Sequence, residues 1–474
     1  MQTKLIATIG PSSSDESVLQ RLADAGVSVF RLNFSHSSPG TFSDIINIVR
    51  KIEKKSGRML TLMGDLGGPK IRIGKVANAP LQVFHGQKIR LGPSRAENTF
   101  NDAPYLPLDF PEISKKLHPG LSVILSDGIP EFKISDVVDA AQDRVFILET
   151  TNSGLVSSSK GISFPGLTFD LPALTAKDCE DVAEAMKLGI DALALSFVQK
   201  KQDVLDLRDE MQRHGRQLPV IVKIERMAAI DSFEAIITEA DGIMVARGDL
   251  GLECSLPVLP VLQKKLISMC LDHQKPVIVA TQMLLSMVHN PLPTRAEAAD
   301  VANAIMDGAD AVMLSEETAV GEHPVETVSM MVQLAQHAEQ FMAEKMTGPR
   351  QPTGGQIGKH LAYSACQVAE HAGSRALVCH TTTGLTAARL SACRPIRPVY
   401  AISPNIETAR RINFLWGVRP VQVEAQPADH LDRVENFIET NPAFGRGESF
   451  VITSGQPTPG QPHNDTNQIK IYYK

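Results

Sequence analysis

The sequence predicts an α/β chain built on a (β/α)8 barrel of the TIM type, and three observations carry that reading. Eight short, β-branched apolar runs recur with amphipathic stretches between most of them, an alternation that favours a parallel sheet. The runs end in polar or charged residues, which is where a parallel barrel places its functional groups. Setting aside one long excursion leaves residues 1–69 and 166–340, close to the ~250 positions of a typical barrel. An open doubly wound sheet is the alternative.

In order, the runs cover residues 4–9, 27–34, 59–65, 192–197, 220–225, 242–246, 276–281 and 311–315. Stretches such as DESVLQRLADAG and RAEAADVANAIMDGAD supply the intervening helical pattern. The excursion, residues 70–165, is far too long for a simple crossover and reads as short strands broken by Gly and Pro, an inserted small β-barrel domain. KMTGPRQPTGGQ then breaks the chain, and ALVCH, PVYAIS and SFVITSG open a C-terminal α/β domain over residues 350–474.

Composition narrows the function. With 474 residues, 43% apolar and 21% charged, the chain buries large cores and lacks the signature of disorder. No apolar run reaches the ~18 residues of a spanning helix, and MQTKLIATIG enters a strand pattern without a signal-peptide core, so the expectation is a cytoplasmic protein with no membrane partner. A net charge of −6 with no long Lys/Arg run speaks against nucleic acid, and any anionic small molecule must be met by local positive charge. The six cysteines form no CxxC pair and no zinc spacing, and they read with the Met and Cys residues between Met269 and Met313 as core filling.

The strand ends are where the chemistry concentrates. The second run ends in Arg31, Asn33 and Ser35 on one face, the third in Asp65, the fourth in Ser196 and the fifth in Lys223 and Glu225. The sixth leads into Arg247 and Asp249, the seventh into Thr281 and Gln282, and the eighth into Ser315 and Glu317. Any one of these reads equally well as a loop-entry residue or a structural ion pair. Several buried charges at one rim, each costing roughly several kcal/mol unless paired or bound, point to a site. Glu225 and Asp249 suit Mg²⁺, which takes one or two carboxylates and leaves its other positions to water and substrate oxygens. Lys223 beside them suits an oxygen on which negative charge grows, as in phosphoryl transfer or enolate chemistry. GDLGGPK and RGDLG match neither the P-loop nor the dinucleotide fingerprint.

These blocks are recognisable. ATIGPSS, FRLNFSH, GPKIR, SKGISFPG, ALSFV, VKIE, VARGDLG, ATQML, PTRAE, DVANAIMDGAD and MLSEETA follow the order of the pyruvate kinase family, which the chain resembles along essentially its whole length. The resemblance implies transfer of a phosphoryl group from phosphoenolpyruvate to ADP, giving pyruvate and ATP, the final step of glycolysis. It implies that Arg31 binds the transferring group, that Lys223 bridges phosphoenolpyruvate to the nucleotide phosphate, and that Glu225 and Asp249 hold Mg²⁺ or Mn²⁺. Asn33, Ser35, Asp65 and the carbonyl of Leu66 would form the monovalent-cation region. Arg247, Gly248, Asp249 and Thr281, with Ser196, would line the substrate site. His36, Arg72 and Lys160 would meet the nucleotide, the last two carried by an inserted domain acting as a lid. Thr281, through a relay with Ser315 and Glu317, would deliver the proton to the enolate. A homotetramer is implied as well.

Three departures from the family pattern stand out. Leu285 replaces a carboxylate, Glu316 adds one, and Lys70 stands where potassium-requiring members carry glutamate. A lysine supplies a fixed ammonium of the same charge as K⁺, so the expectation is a potassium-independent enzyme; a solvated hinge lysine is the alternative. Thr381, Thr382, Thr383, Gly384 and Thr386 precede a helical pattern and resemble the family's effector phosphate loop, although a hydroxyl-rich helix cap explains them equally. With Leu385 in place of a basic residue, a monophosphate effector such as AMP or a sugar monophosphate is expected. A metal-dependent lyase or aldolase on a related barrel, and a silent effector sensor, are the competing functions.

Overall fold

The computed structural model describes every residue except 36, 100–102, 127, 141–142, 168, 170, 346 and 456–465. Eight parallel strands close into a barrel: β1 (Lys4–Ile9), β2 (Val27–Asn33), β3 (Thr61–Asp65), β4 (Ala192–Leu195), β5 (Val220–Ile224), β6 (Gly242–Ala246), β7 (Val277–Ala280) and β8 (Ala311–Leu314). Sequence neighbours are spatial neighbours, and β8 returns to pair with β1, Lys4 opposite Ala311. Several strands stop a residue or two before the predicted runs do, because polar residues such as Glu225 and Ser315 have already left the ladder for a loop.

The helices follow from local chemistry. Gly26 at φ 127° ends the helix Glu16–Ala25, a conformation that a side chain would strain. Thr294 opens Arg295–Met306 with a capping box: its hydroxyl accepts from the Glu297 N–H while the Glu297 carboxylate accepts from its own.

Strand alternation explains both core and site. Ile6, Val29, Met63, Ala194, Ile221 and Met313 point inward and form one interior cluster, while Leu5, Phe30, Leu62, Leu193 and Val222 point outward against the helices. Each large side chain so buried contributes about 1.5–3 kcal/mol. Two residues further along, the inward face carries Thr8, Arg31, Asp65, Ser196, Lys223 and Ser315. The barrel interior is therefore apolar below and polar at the C-terminal rim.

The excursion between β3 and β4 is built of strands over its own core, which includes Val123, Phe132, Phe146 and Leu148. Its ladders run in two pieces, a six-stranded sheet and a separate ribbon of Leu81–Val83 with Gly154–Val156. Pro80, Pro93, Pro104 and Pro130 flank strands and offer no N–H to extend them.

The C-terminal segment forms a five-stranded sheet in the order Val418–Gln422, Val399–Ser403, Ala376–His380, Ser449–Ser454, Gln468–Tyr473, parallel except for the last strand. It docks on the N-terminal end of the barrel. Phe414, 1% exposed, completes the barrel's interior cluster, and the Asn413 amide donates to the carbonyls of Ser28 and Met59 at 2.9 and 3.0 Å. Arg410 reaches Glu53 and Asp191 at 2.5 and 3.3 Å, and Arg394 reaches Asp310 at 2.9 Å. The polar rim at the other end is left uncovered by this contact. Among the described residues, no helix is long and apolar enough to cross a membrane.

Candidate active site

Lys223, on the inward face of β5, is the centre of the rim. Its ammonium lies 2.9 Å from Glu225 Oε1, 3.3 Å from Asp65 Oδ1 and 2.8 Å from Ser196 Oγ. Burial opposes its charge, but the Asp65 and Glu225 carboxylates outweigh that and raise its pKa. Asp65, 1% exposed, accepts from Arg31 Nε at 2.6 Å. Burial works against its charge too, yet the Lys223 and Arg31 cations hold its carboxyl below the usual range. Arg31 also donates to Thr8 Oγ1 at 3.0 Å, and Thr8 in turn to the Leu314 carbonyl at 2.9 Å, which ties β2 to β1 and β8.

Glu225 is clamped at both oxygens. Oε1 faces Lys223, and Oε2 accepts from the Phe197 N–H at 2.7 Å. Phe197 reaches this position only by a left-handed turn, φ 57°, costly for a residue with a side chain and thus a mark of a constrained site. Burial raises the Glu225 pKa, Lys223 opposes that rise, and the nearby Asp249 adds to it. Asp249 lies in the first turn of the helix Arg247–Glu253 that follows β6. Among the described residues no group of three or more His, Cys, Asp or Glu side chains is arranged to hold a metal ion by itself. The available donor set, two carboxylates at an open rim, fits a hard oxygen-seeking cation that takes its remaining ligands from substrate and water.

A second arc is formed by the ends of β6 to β8. The Gly248 N–H donates to Thr281 Oγ1 at 2.8 Å. Arg247 grips both oxygens of Asp300 at 2.7 and 2.6 Å and donates to the Thr281 carbonyl at 2.8 Å. Thr281 and Gln282 are both left-handed, φ 69° and 54°, a strained pair that this grip holds in place. Glu317 is buried, accepts from the N–H groups of Leu284 and Ser315 at 3.1 and 2.6 Å, and has its pKa raised by burial. Ser315 Oγ is a buried hydroxyl with no hydrogen-bond partner among the described residues.

The remaining predicted residues lie around this rim or away from it. Asn33 Oδ1 accepts from the Ser35 N–H at 3.1 Å, and the Leu66 carbonyl accepts from Ser196 Oγ at 2.7 Å. Lys70 Nζ lies 3.2 Å from Asp249 Oδ1. Arg72 and Lys160 sit on adjoining segments, with Arg72 donating to the Ser159 carbonyl at 3.1 Å and Lys160 exposed. His36 lies outside the described residues. The Thr381–Thr386 loop belongs to the C-terminal sheet, which docks at the opposite end of the barrel. Two of its amides are taken by its own hydroxyls, Gly384 N–H by Thr381 and Leu385 N–H by Thr383, while Thr386 faces Thr466.

Sequence reasoning missed Thr8, Phe197 and Asp300. Thr8 was detectable, as the inward-facing residue two positions after Ile6. Phe197 acts through its backbone, and Asp300 lies 53 residues from Arg247, so neither leaves a local signal.

Comparison with known proteins agrees with this geometry. The family model described as "Pyruvate kinase, barrel domain" matches residues 1–328, and "Pyruvate kinase, alpha/beta domain" matches residues 359–472. A protein of Agrobacterium vitis named pyruvate kinase is 39% identical, the alignment covering 99% of this chain and 96% of that one. One of the same name from Corynebacterium glutamicum is 36% identical, over 99% and 97%. A barrel whose open rim joins Lys223 to Glu225, Asp65 and Arg31, extended by a matching C-terminal domain, leaves one conclusion: the chain belongs to the pyruvate kinase family of phosphotransferases.

Proposed function

We propose that this chain transfers the phosphoryl group of phosphoenolpyruvate to ADP and protonates the resulting enolate to pyruvate. The observation that carries the reading is the largely shielded Lys223 ammonium, held by Asp65, Glu225 and Ser196 at the rim beside Arg31. Two fixed cations in a water-poor setting stabilise charge that develops on the phosphoryl oxygens and the bridging oxygen, and need no reorganisation as it grows. Glu225 and Asp249 would hold Mg²⁺ or Mn²⁺, which supplies Lewis-acid stabilisation of substrate oxygens. The N–H groups at Arg247 and Gly248, with Thr281, would receive the substrate carboxylate. Ser315, whose hydroxyl has no partner among the described residues, and Glu317, whose pKa is raised, would relay the proton toward Thr281.

The division into a barrel of residues 1–69 and 166–340, a lid of 70–165 and a regulatory domain of 350–474 belongs to the same proposal. Arg72 and Lys160, with His36, would meet the nucleotide phosphates as the lid closes. Lys70 carries its own positive charge at the rim, which supports independence from K⁺ at the cation region formed by Asn33, Ser35, Asp65 and Leu66. Thr381, Thr382, Thr383, Gly384 and Thr386 lie at the carboxyl end of the strand Ala376–His380, beside Ser449–Ser454, where the sheet order reverses; that crevice supports a monophosphate effector such as AMP. Exposed Leu256, Val261 and Leu292 on the barrel's outside support self-association, proposed as a cytoplasmic homotetramer.

The test is a coupled assay of pyruvate formation from phosphoenolpyruvate and Mg²⁺ with and without ADP, in K⁺ and in tetramethylammonium. Pyruvate that depends on ADP and forms at similar rates in both buffers is expected. Pyruvate formed without ADP would indicate a lyase, and strong activation by K⁺ would defeat the role given to Lys70.

A further inference from the structure

We propose that Lys70 is a positioning residue: it straps the root of the inserted segment to the barrel rim through Asp249 and competes there with the divalent cation. The inference rests on the reading of Asp249 as a ligand of that cation.

Lys70 follows β3 by five residues, at the point where the chain leaves the barrel. Its ammonium lies 3.2 Å from Asp249 Oδ1, on the helix after β6. Its stem crosses the returning segment of the insertion at Gly161, where a Cβ would come within 3.1 Å of Lys70 Cε, so the glycine leaves the stem its path. Gly161 in turn pairs with Arg72. One side chain therefore runs from the outgoing root, past the returning root, to the rim carboxylate. The insertion also approaches the same rim helix at Gly128, where an added Cβ would lie 3.8 Å from Leu252.

The strap is weak by construction. The Lys70 side chain is 40% exposed and that of Asp249 29%, and a pair so open to water is worth at most about 1 kcal/mol. An ammonium and a dication repel each other within a few ångströms, and both draw on the same carboxylate oxygens. Loading of the cation therefore displaces Lys70 from Asp249 and frees the hinge, leaving the ammonium on the segment that also carries Arg72.

The test is direct binding of Mn²⁺ to the substrate-free protein in potassium-free buffer, read from the electron paramagnetic resonance signal of the free ion. Lys70→Met is expected to tighten binding about fivefold, while Lys70→Arg, which keeps the charge, stays near native affinity and Asp249→Asn weakens binding. If Asp249→Asn weakens binding but Lys70→Met leaves it unchanged or weaker, the strap is overturned and the ligand reading stands. If Asp249→Asn has no effect, the ligand reading falls and the strap falls with it.

Discussion

At the scale of single residues, the rim alternates charges that would be costly alone. Lys223 and Arg31 stand against Asp65 and Glu225, and every one of these is held by at least one bond under 3 Å. Removing one partner of such a buried set leaves the others uncompensated, at a cost of up to about 3–5 kcal/mol. Lys223→Met should therefore lower turnover about a hundred- to a thousandfold and also lower the urea midpoint, while circular dichroism reports an intact fold. Near-native turnover would remove Lys223 from the mechanism. Glu225→Gln keeps the shape but halves the carboxylate pair, so the Mg²⁺ concentration giving half-maximal activity should rise; an unchanged midpoint would strike Glu225 from the cation's ligands.

At the scale of elements, the C-terminal sheet contains a group whose titration can be read from outside. His380 ends the strand Ala376–His380, is 7% exposed, stacks on His430 with ring centres 5.3 Å apart, and faces Arg433 at 3.1 Å. Asp429, which caps the helix His430–Thr440, is the acid facing it. Burial, then the charges of His430 and Arg433, push its pKa down to about 4. The neutral ring's contribution is thus complete above the unfolded value near 6.5 and is lost as pH falls from there toward 4. Allowing for solvent at the ring's open edge, that is at most about 2 kcal/mol. Urea midpoints at pH 7.5 and pH 5 should differ accordingly, and His380→Gln should shrink the difference; an undiminished slope would assign the acid sensitivity elsewhere. Elements are also the scale at which the sequence is most legible. The eight strands and the polar layer at Arg31, Asp65, Ser196 and Lys223 follow from a two-residue period that any short window contains. The left-handed turn at Phe197 and the pairing of Lys70 with Asp249, 179 residues away, depend on how distant elements are brought together. The Thr381–Thr386 sequence fits free anion-binding donors and a self-capping turn equally, and the folded turn shows Thr381 and Thr383 taking the amides beside them.

At the scale of the whole molecule, the interior of the closed barrel is not filled by its own residues alone. Its interior layers are filled from below by Phe414, contributed by a turn about a hundred residues beyond β8 and framed by Asn413 on the Ser28 and Met59 carbonyls. The Arg410 and Arg394 ion pairs surround that plug. An aromatic ring with 1% exposure against Ile6, Val29, Met63 and Ile221 is core to the barrel although its chain belongs to another domain. The two should therefore unfold together, and Phe414→Ala should destabilise both by about 3–5 kcal/mol, the cost of lost transfer energy plus an uncollapsed cavity. The ion pairs are untouched by that substitution, so the effect isolates the plug. Since the rim lies at the opposite end of the strands, turnover of the folded variant at low temperature should remain close to native. Equilibrium unfolding in urea, followed by far-ultraviolet circular dichroism and by the fluorescence of Trp416 beside the plug, tests this directly. One shared transition displaced to lower urea supports a barrel completed by its neighbour, whereas two separate transitions, or a shift worth less than about 1 kcal/mol, would show that the barrel is sufficient on its own.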